Sequence, residues 1–162
     1  MPVEFHDYSV QVKDAMDGAV IQFLHEAASE LKSQAQRKTK VAKVSGGKTK
    51  GAWKYVVDEA KQEAIVGNTE ENAIWEEMGT GEYALEGKGR SGGWYILIGE
   101  GEGMISQEVV DAYHMTVKYG KDGKKYAYTT GKKPKRMLHN AFVENKAKII
   151  RRAEQILKGR LD

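Results

Sequence analysis

"MTVKYGKDGKKYAYTT", residues 115–130, predicts a β-hairpin in the second half of the chain. Its two flanks, MTVKY and KKYAYTT, are rich in the aromatic and β-branched residues that favour strands. Between them stands GKDG, in which Asp-Gly supplies the positive φ that a tight hairpin turn needs. The stretch therefore indicates two antiparallel strands, and the elements around it decide what this hairpin packs with.

Two amphipathic helices are predicted near the ends of the chain, because apolar residues recur there at three- and four-residue steps. Between them lie further predicted strands and two short helical segments, the second of them capped by Ser106. The expected ranges are 10–36 and 135–158 for the long helices, 52–58, 61–67 and 94–98 for strands, and 69–79 and 106–114 for the short helical segments.

Strands clustered between two helices indicate an α+β fold. We expect an antiparallel sheet of about four strands, with the two long helices packed on one face and a short helix between strands. The aromatic side chains of Phe23, Trp75, Trp94 and Phe142 are expected inside, where they would join the long helices to the sheet.

The 162 residues are enough for one domain that buries its own core, so we predict a single domain over 1–162. No apolar run reaches the roughly 18 residues that span a bilayer, and the first residues lack the pattern of a secretory signal. The chain has no Cys, which excludes disulfides and fits synthesis in a reducing cytosol. We expect no membrane association.

Charge is separated along the chain. Residues 31–57 hold eight basic side chains and no acid, whereas residues 62–87 hold seven Glu and no Lys or Arg. Such blocks suggest charged surfaces that meet a partner. The alternative is that the two blocks lie side by side in one subunit and neutralise each other. Residues 37–51, polar and without an apolar period, predict a mobile basic loop.

AKVSGGKT, residues 42–49, matches the loose form of a phosphate-binding loop that ends in Gly-Lys-Thr. A true loop of this kind lies between a buried strand and the N-terminus of a helix. Here a helix end precedes the motif and a strand follows it, so no nucleotide site is predicted. GKGRSG, residues 87–92, matches a dinucleotide fingerprint but leads into a strand instead of a helix, so no cofactor is expected.

Nothing in the pattern indicates catalysis. The four His residues are scattered without metal-ligand spacing, and no Ser lies in a recognisable nucleophile turn. We expect no enzyme, no metal and no cofactor. Aromatic residues interleaved with lysines around Lys54 leave a second function open: a small DNA-binding protein that uses the basic residues 37–54. Submicromolar, strongly salt-dependent binding to duplex DNA would favour that alternative.

Several motifs in order resemble the tail-completion, or head–tail joining, proteins of long-tailed bacteriophages, often labelled minor capsid or tail-component proteins. The resemblance covers most of the chain. It begins with GGKTKGAWKYVV (46–57) and continues with WEEMGTG (75–81), which matches the family's aromatic–Glu–aromatic–Gly–Thr–Gly motif. GRSGGW (89–94) and TTGKKPKRMLHNAF (129–142) follow, the second leading into the last helix. Residues 99–123 are longer than the family's hairpin and predict an elaborated segment.

The resemblance implies a non-enzymatic virion protein of the neck or tail, assembled in the host bacterial cytoplasm. It implies a ring, commonly six-fold, that joins the head connector or adaptor to the tail terminator or tail tube, with phage DNA passing through the lumen. A tail terminator or tail-tube component is an alternative place in the same assembly.

For the ring contact we predict that acidic residues around the Gly79-Thr80-Gly81 turn face a basic surface of the neighbouring subunit. The residues predicted for this interface are Glu76, Glu77, Gly79, Thr80, Gly81, Lys48, Lys50, Lys132, Lys133 and Arg136.

Overall fold

The computed structural model describes residues 9–41 and 47–161 of the chain. Two long helices come first and last in the chain order, with shorter helices and strands between them, as the periodicity predicted. In chain order the elements are α1 (Ser9–Lys38), α2 (Lys48–Gly51), β1 (Trp53–Asp58), β2 (Glu63–Asn68), α3 (Ala73–Met78), β3 (Trp94–Leu97), α4 (Gln107–Ala112), β4 (Val117–Tyr119), β5 (Lys125–Thr129) and α5 (Met137–Leu161).

The predicted α+β class is confirmed, but the strands form two antiparallel sheets where one sheet of about four strands was expected. β1 and β2 form a two-stranded sheet, and β3, β5 and β4 form a three-stranded sheet in that order. The reason lies in the segment that follows β2. It turns into α3 and into glycine-rich turns, whose backbone groups bond to residues 130–135 instead of extending the first sheet.

Backbone contacts divide the chain into two compact units. The single domain predicted over 1–162 stays a prediction. The first unit comprises Met1–Gln36, Trp53–Gly67 and Leu138–Asp162, and the second comprises Arg37–Ala52 and Asn68–Met137. The two-stranded sheet lies almost wholly in the first unit, and the three-stranded sheet lies in the second. Residues far apart in sequence therefore collect in each unit.

In the first unit the long helices bury mainly alanine side chains. The buried residues of α1 are Ala19, Ala28 and Ala35, and α5 buries Ala141 and Ile156. Two ion pairs join these helices along their exposed edges. The Nε of Arg152 lies 2.7 Å from Glu26 Oε2, and the Nζ of Lys148 lies 3.0 Å from Glu30 Oε1.

The aromatic core predicted from the sequence is wrong in two of its four residues. Phe142 is 45% exposed and Trp75 is 57% exposed, whereas Phe23 and Trp94 are partly buried. On α5 the buried position next to Phe142 is taken by Ala141, which leaves the larger ring at the surface. Trp75 is exposed for a different reason, which is the orientation of its helix, α3: Ala73 and Glu76 are buried and Trp75 is on the outside.

In the second unit the hairpin predicted at 115–130 is confirmed. β4 and β5 pair antiparallel, with Val117 opposite Ala127 and Tyr119 opposite Lys125. Gly123 in the connecting turn has φ +77°, the conformation for which Asp-Gly was singled out. The same unit contains α4, whose first turn is capped by Ser106: its Oγ accepts a hydrogen bond from Val109 N at 3.4 Å. The segment 99–123 thus contributes a helix and a strand to this unit.

The basic segment at 37–51 is partly helical. Its first two residues belong to α1, Thr39 is buried, and residues 48–51 form the single turn α2 after Gly47, which has φ +88°. Residues 42–46, the greater part of the phosphate-loop match, lie outside the described residues. Among the described residues no helix combines the length and the apolar character needed to cross a membrane.

Candidate subunit interface

The motifs at 75–81, 89–94 and 129–134 come together in the second unit. Residues 80–82 run beside residues 130–132 and exchange backbone hydrogen bonds with them. Thr80 N donates to Lys132 O at 2.9 Å, Lys132 N donates to Thr80 O at 3.2 Å, and Glu82 N donates to Thr130 O at 2.9 Å. The side chain of Thr80 adds a fourth acceptor, because its Oγ1 also accepts a hydrogen bond from Lys132 N at 2.9 Å. We call this crossing of two segments the glycine junction.

Two glycines make the close approach at the glycine junction possible. Gly79 has φ +75°, and a Cβ atom there would lie 2.8 Å from Pro134 Cδ and 2.9 Å from Lys132 O. Gly81 has φ +60°, and its Cβ would collide with Thr130 O and lie 2.7 Å from the Trp94 ring. Both positions therefore require glycine for conformation and for space. Both glycines are buried within the subunit, and their predicted part in a contact between subunits stays a prediction.

Glu76 is the buried acid of this region. It is 8% exposed on the inner side of α3, and its carboxylate forms ion pairs with Lys132 and Lys135 of the same chain. The backbone joins in, since Lys135 N donates to Glu76 O at 2.7 Å. The sequence had led us to expect that Glu76 faces basic residues of a neighbouring subunit. The correction is that its basic partners lie in its own chain, because burial of a carboxylate demands compensating charge nearby.

The two lysines share one acid, and this has an electrostatic consequence. Burial, and then the neighbouring charge of Lys135, lower the pKa of Lys132 from its ordinary value. Contact with the Glu76 carboxylate acts in the opposite sense, because a negative neighbour favours the charged ammonium group. The acid therefore offsets the cost of holding Lys132 and Lys135 close together.

Helix α3 has the reverse of the usual polarity. Ala73 and Glu76, three residues apart, are buried. On the outside stand Ile74, Trp75 and Met78, which are 58%, 57% and 41% exposed. Positions i, i+1 and i+4 lie on one side of a helix, so these three side chains form a continuous apolar surface, here called the α3 face. Trp75, expected in the core, is the largest member of this exposed surface.

The other predicted interface residues of the second unit surround the glycine junction. Lys133 is exposed, with its Nζ 5.6 Å from the centre of the Tyr83 ring. Arg136 has φ +51° and is half-buried just before α5, and Glu77 is half-buried at the end of α3. These residues lie within the same unit as the α3 face.

Lys48 and Lys50 lie on the turn α2, which contacts the segment before α3. Thr49 Oγ1 donates to Asn72 Oδ1 at 3.3 Å, and Asn68 Nδ2 donates to Thr49 O at 2.7 Å. A cavity of about 20 Å³ lies between these segments, a size that holds about one water molecule. The prediction that GKT binds no nucleotide stays a prediction, since most of the motif is outside the described residues.

Sequence reasoning missed the exposure of Ile74 and Met78 and the pairing of Lys135 with Glu76 inside one subunit. A signal for the first two was present, because the letters AIWEEM place apolar residues on one side of a short helix and Glu76 on the other. We assumed that the apolar side of this helix faces the protein interior, and this assumption was wrong for α3. Nothing in the local pattern indicated that Lys135 would meet Glu76.

Within the described ranges there is no group of three or more His, Asp or Glu side chains placed to hold a metal ion. Comparison with protein-family models, with curated proteins and with solved structures returned no match to this chain.

Proposed function

We propose that this chain is a non-enzymatic structural protein of a bacteriophage virion, which completes the tail or joins the head connector to the tail. In this proposal it forms an oligomeric ring in the neck through which DNA passes. The proposal starts from the resemblance of its ordered motifs to the tail-completion family. The structural observation that favours an assembling protein is the α3 face, where Trp75 stands 57% exposed beside two other large apolar side chains.

An apolar surface of this kind is costly to leave in water. Contiguous exposed apolar patches in soluble proteins mark interaction sites, and Trp and Met are enriched at the buried centres of interfaces. The α3 face rests on a helix whose inner side is tied down by the ion pairs of Glu76, and the glycine junction follows directly. A rigid support of this type lowers the entropy lost when a partner docks.

A ring needs a second, different surface on each subunit, because its contacts run head to tail. The outer side of the two-stranded sheet offers one. Val56 and Ile65, on β1 and β2, are 68% and 70% exposed and alternate with partly buried neighbours. We propose that the α3 face of one subunit covers this side of the sheet in the next subunit. Apolar side chains would then be buried from both partners.

This contact replaces the one predicted from charge. Reversal of Glu76 and Glu77 to Lys would have tested a charged interface, but Glu76→Lys would place a third cation beside Lys132 and Lys135. The variant would damage the fold of the subunit and say little about assembly. A substitution at an exposed apolar position avoids this problem.

The test is self-association of the purified chain and of Trp75→Asp. We expect concentration-dependent oligomers of the unchanged protein in sedimentation, and closed rings in electron micrographs at the highest concentrations. Trp75→Asp should abolish both while the melting temperature stays within a few degrees, because the ring of Trp75 is more than half exposed. Tyr113→Asp is the matched control, since Tyr113 is 49% exposed and lies at the end of α4, outside α3.

Two outcomes would contradict the proposal. A chain that remains monomeric up to millimolar concentration would argue against a self-assembling ring. Oligomers that survive in Trp75→Asp would leave a ring possible but remove the α3 face from its interface. Tight, salt-sensitive binding of duplex DNA by the monomer would favour the alternative DNA-binding function of residues 37–54.

A further inference from the structure

The three-stranded sheet carries a second unusual surface, which the proposed ring does not use. The central strand of this sheet is β5. On one side of it, Tyr95 and Leu97 of β3 pair with Tyr128 and Tyr126. On the other side, Lys118 of β4 pairs with Tyr126. Cross-strand partners lie on the same side of a sheet, so three tyrosines and a lysine share one side. We call Tyr95, Tyr126, Tyr128 and Lys118 the tyrosine face.

The opposite side of the same sheet is the inner one. Ala127 is fully buried there, and its partner Ile96 is partly buried. The tyrosine face is accordingly the side open to solvent, with Tyr95 48% exposed and Lys118 exposed. The solvent side of an antiparallel sheet is ordinarily polar. Three aromatic rings on that side indicate a binding surface for a partner with flat, apolar groups that can stack on them.

The geometry of the rings suits stacking. The centres of the Tyr95 and Tyr128 rings are 5.1 Å apart and the rings are tilted by 50°. A groove of about 490 Å³ lies beside Tyr95, Lys118, Tyr119 and Tyr126, within the range of small-molecule sites. The Nζ of Lys118 lies 5.6 Å from the centre of the Tyr95 ring, so a positive charge stands beside the exposed aromatic surface.

The charge around the groove is positive. Lys118 and Lys121 line the groove. Its one acid, Asp122, is already engaged: Tyr126 OH donates to Asp122 Oδ2 at 2.8 Å, and Lys124 N donates to Asp122 Oδ1 at 3.1 Å. These hydrogen bonds lower the pKa of Asp122, with that from Tyr126 as the largest cause. Asp122 therefore stays negatively charged, and the two lysines exceed it by one positive charge beside the aromatic rings.

We propose that the tyrosine face binds a segment of single-stranded nucleic acid, with one base stacked on Tyr95 and adjacent phosphates held by Lys118 and Lys121. Proteins that bind single strands combine aromatic stacking platforms with a basic groove in this way. A duplex does not fit the same chemistry, because its base faces are already stacked on one another. The site is separate from the α3 face and does not depend on ring formation.

The test measures binding of a fluorescein-labelled oligothymidylate of twelve nucleotides to the full chain by anisotropy. We expect saturable binding that weakens with salt, with a slope of log K against log salt of about −1.4 for two phosphate contacts. Tyr95→Ala should weaken binding by about 5- to 150-fold, the usual effect of losing one stacking ring. Tyr95→Phe should retain it, and Lys118→Gln should reduce the salt slope by about 0.7.

The controls separate stacking from simple attraction between charges. Tyr113→Ala, at an exposed tyrosine outside the sheet, should bind like the unchanged protein. A duplex of matched sequence should bind more weakly than the single strand. Heparin, a polyanion without bases, should respond to Lys118→Gln and not to Tyr95→Ala. No binding of the oligonucleotide, equal binding of the duplex, or unchanged binding by Tyr95→Ala would each overturn the proposal.

Discussion

Replacement of Glu76 by Gln removes the charge of a buried carboxylate and leaves the shape of the side chain almost unchanged. The side chain of Glu76 is 11% exposed, and its two partners, Lys132 and Lys135, are 44% and 37% exposed. Loss of one partner from a fully buried ion pair costs about 3–5 kcal/mol. Because both lysines keep partial access to water, their uncompensated charges are partly hydrated. We therefore expect Glu76→Gln to lower the free energy of unfolding by about 2–3 kcal/mol.

The assay is urea denaturation of Glu76→Gln beside Glu71→Gln, which makes the same chemical change at an exposed position shortly before α3. We expect Glu71→Gln to stay within about 0.5 kcal/mol of the unchanged protein. A second comparison uses the variant in which Glu76→Gln is combined with Lys132→Gln. It should recover part of the loss, because the repulsion between Lys132 and Lys135 disappears with one of the charges. If Glu76→Gln and Glu71→Gln are equally stable, Glu76 does not hold the glycine junction through its charge.

Two further predictions concern the backbone and the pH dependence. Gly92 has φ +80°, and a Cβ atom there would have no heavy atom within 4 Å, so Gly92→Ala should cost about 1–2 kcal/mol in urea denaturation. Gly81→Ala adds a collision with Thr130 and Trp94 and should cost at least about 3 kcal/mol; equal costs for the two variants would contradict the crowding at Gly81. The hydrogen bond from Arg152 lowers the pKa of Glu26 from its ordinary value of 4.5, so this contribution to stability is complete above pH 4.5 and is lost as pH falls through the lower folded-state value. The melting temperature should therefore fall less steeply below pH 4.5 in Arg152→Gln than in the unchanged protein, and parallel curves would argue against the ion pair.

Local features of this fold were predictable because they depend on residues close together in the sequence. The apolar stripes at three- and four-residue steps predicted α1 and α5, and the alternation around GKDG predicted the hairpin of β4 and β5. The cap at Ser106 and the positive φ at Gly123 were predictable for the same reason. A helix turn, a strand pleat and a tight turn each involve only a few neighbouring residues.

The side chains around the predicted interface are arranged differently from the prediction, and the interface itself stays a prediction. The motif at 75–81 was expected to lie at a contact surface, with Glu76 outside and Trp75 inside. The structure reverses the two side chains: Glu76 is 8% exposed and Trp75 is 57% exposed. The pattern of AIWEEM is the same for either orientation, since it shows which residues share a side of the helix and not which side meets the protein.

The orientation of α3 was decided by partners distant in the chain. Lys132 and Lys135 bring two positive charges to the inner side of the helix, and these charges compensate the buried carboxylate of Glu76. Gly79 and Gly81 let the backbone approach residues 130–134 closely enough for these contacts to form. Hydrophobic periodicity describes only neighbouring residues and gives no information about compensation of charge between distant ones. The sequence by itself therefore predicted the helix α3. The burial of Glu76 and the exposure of Trp75 depend on the packing of segments that only folding brings together.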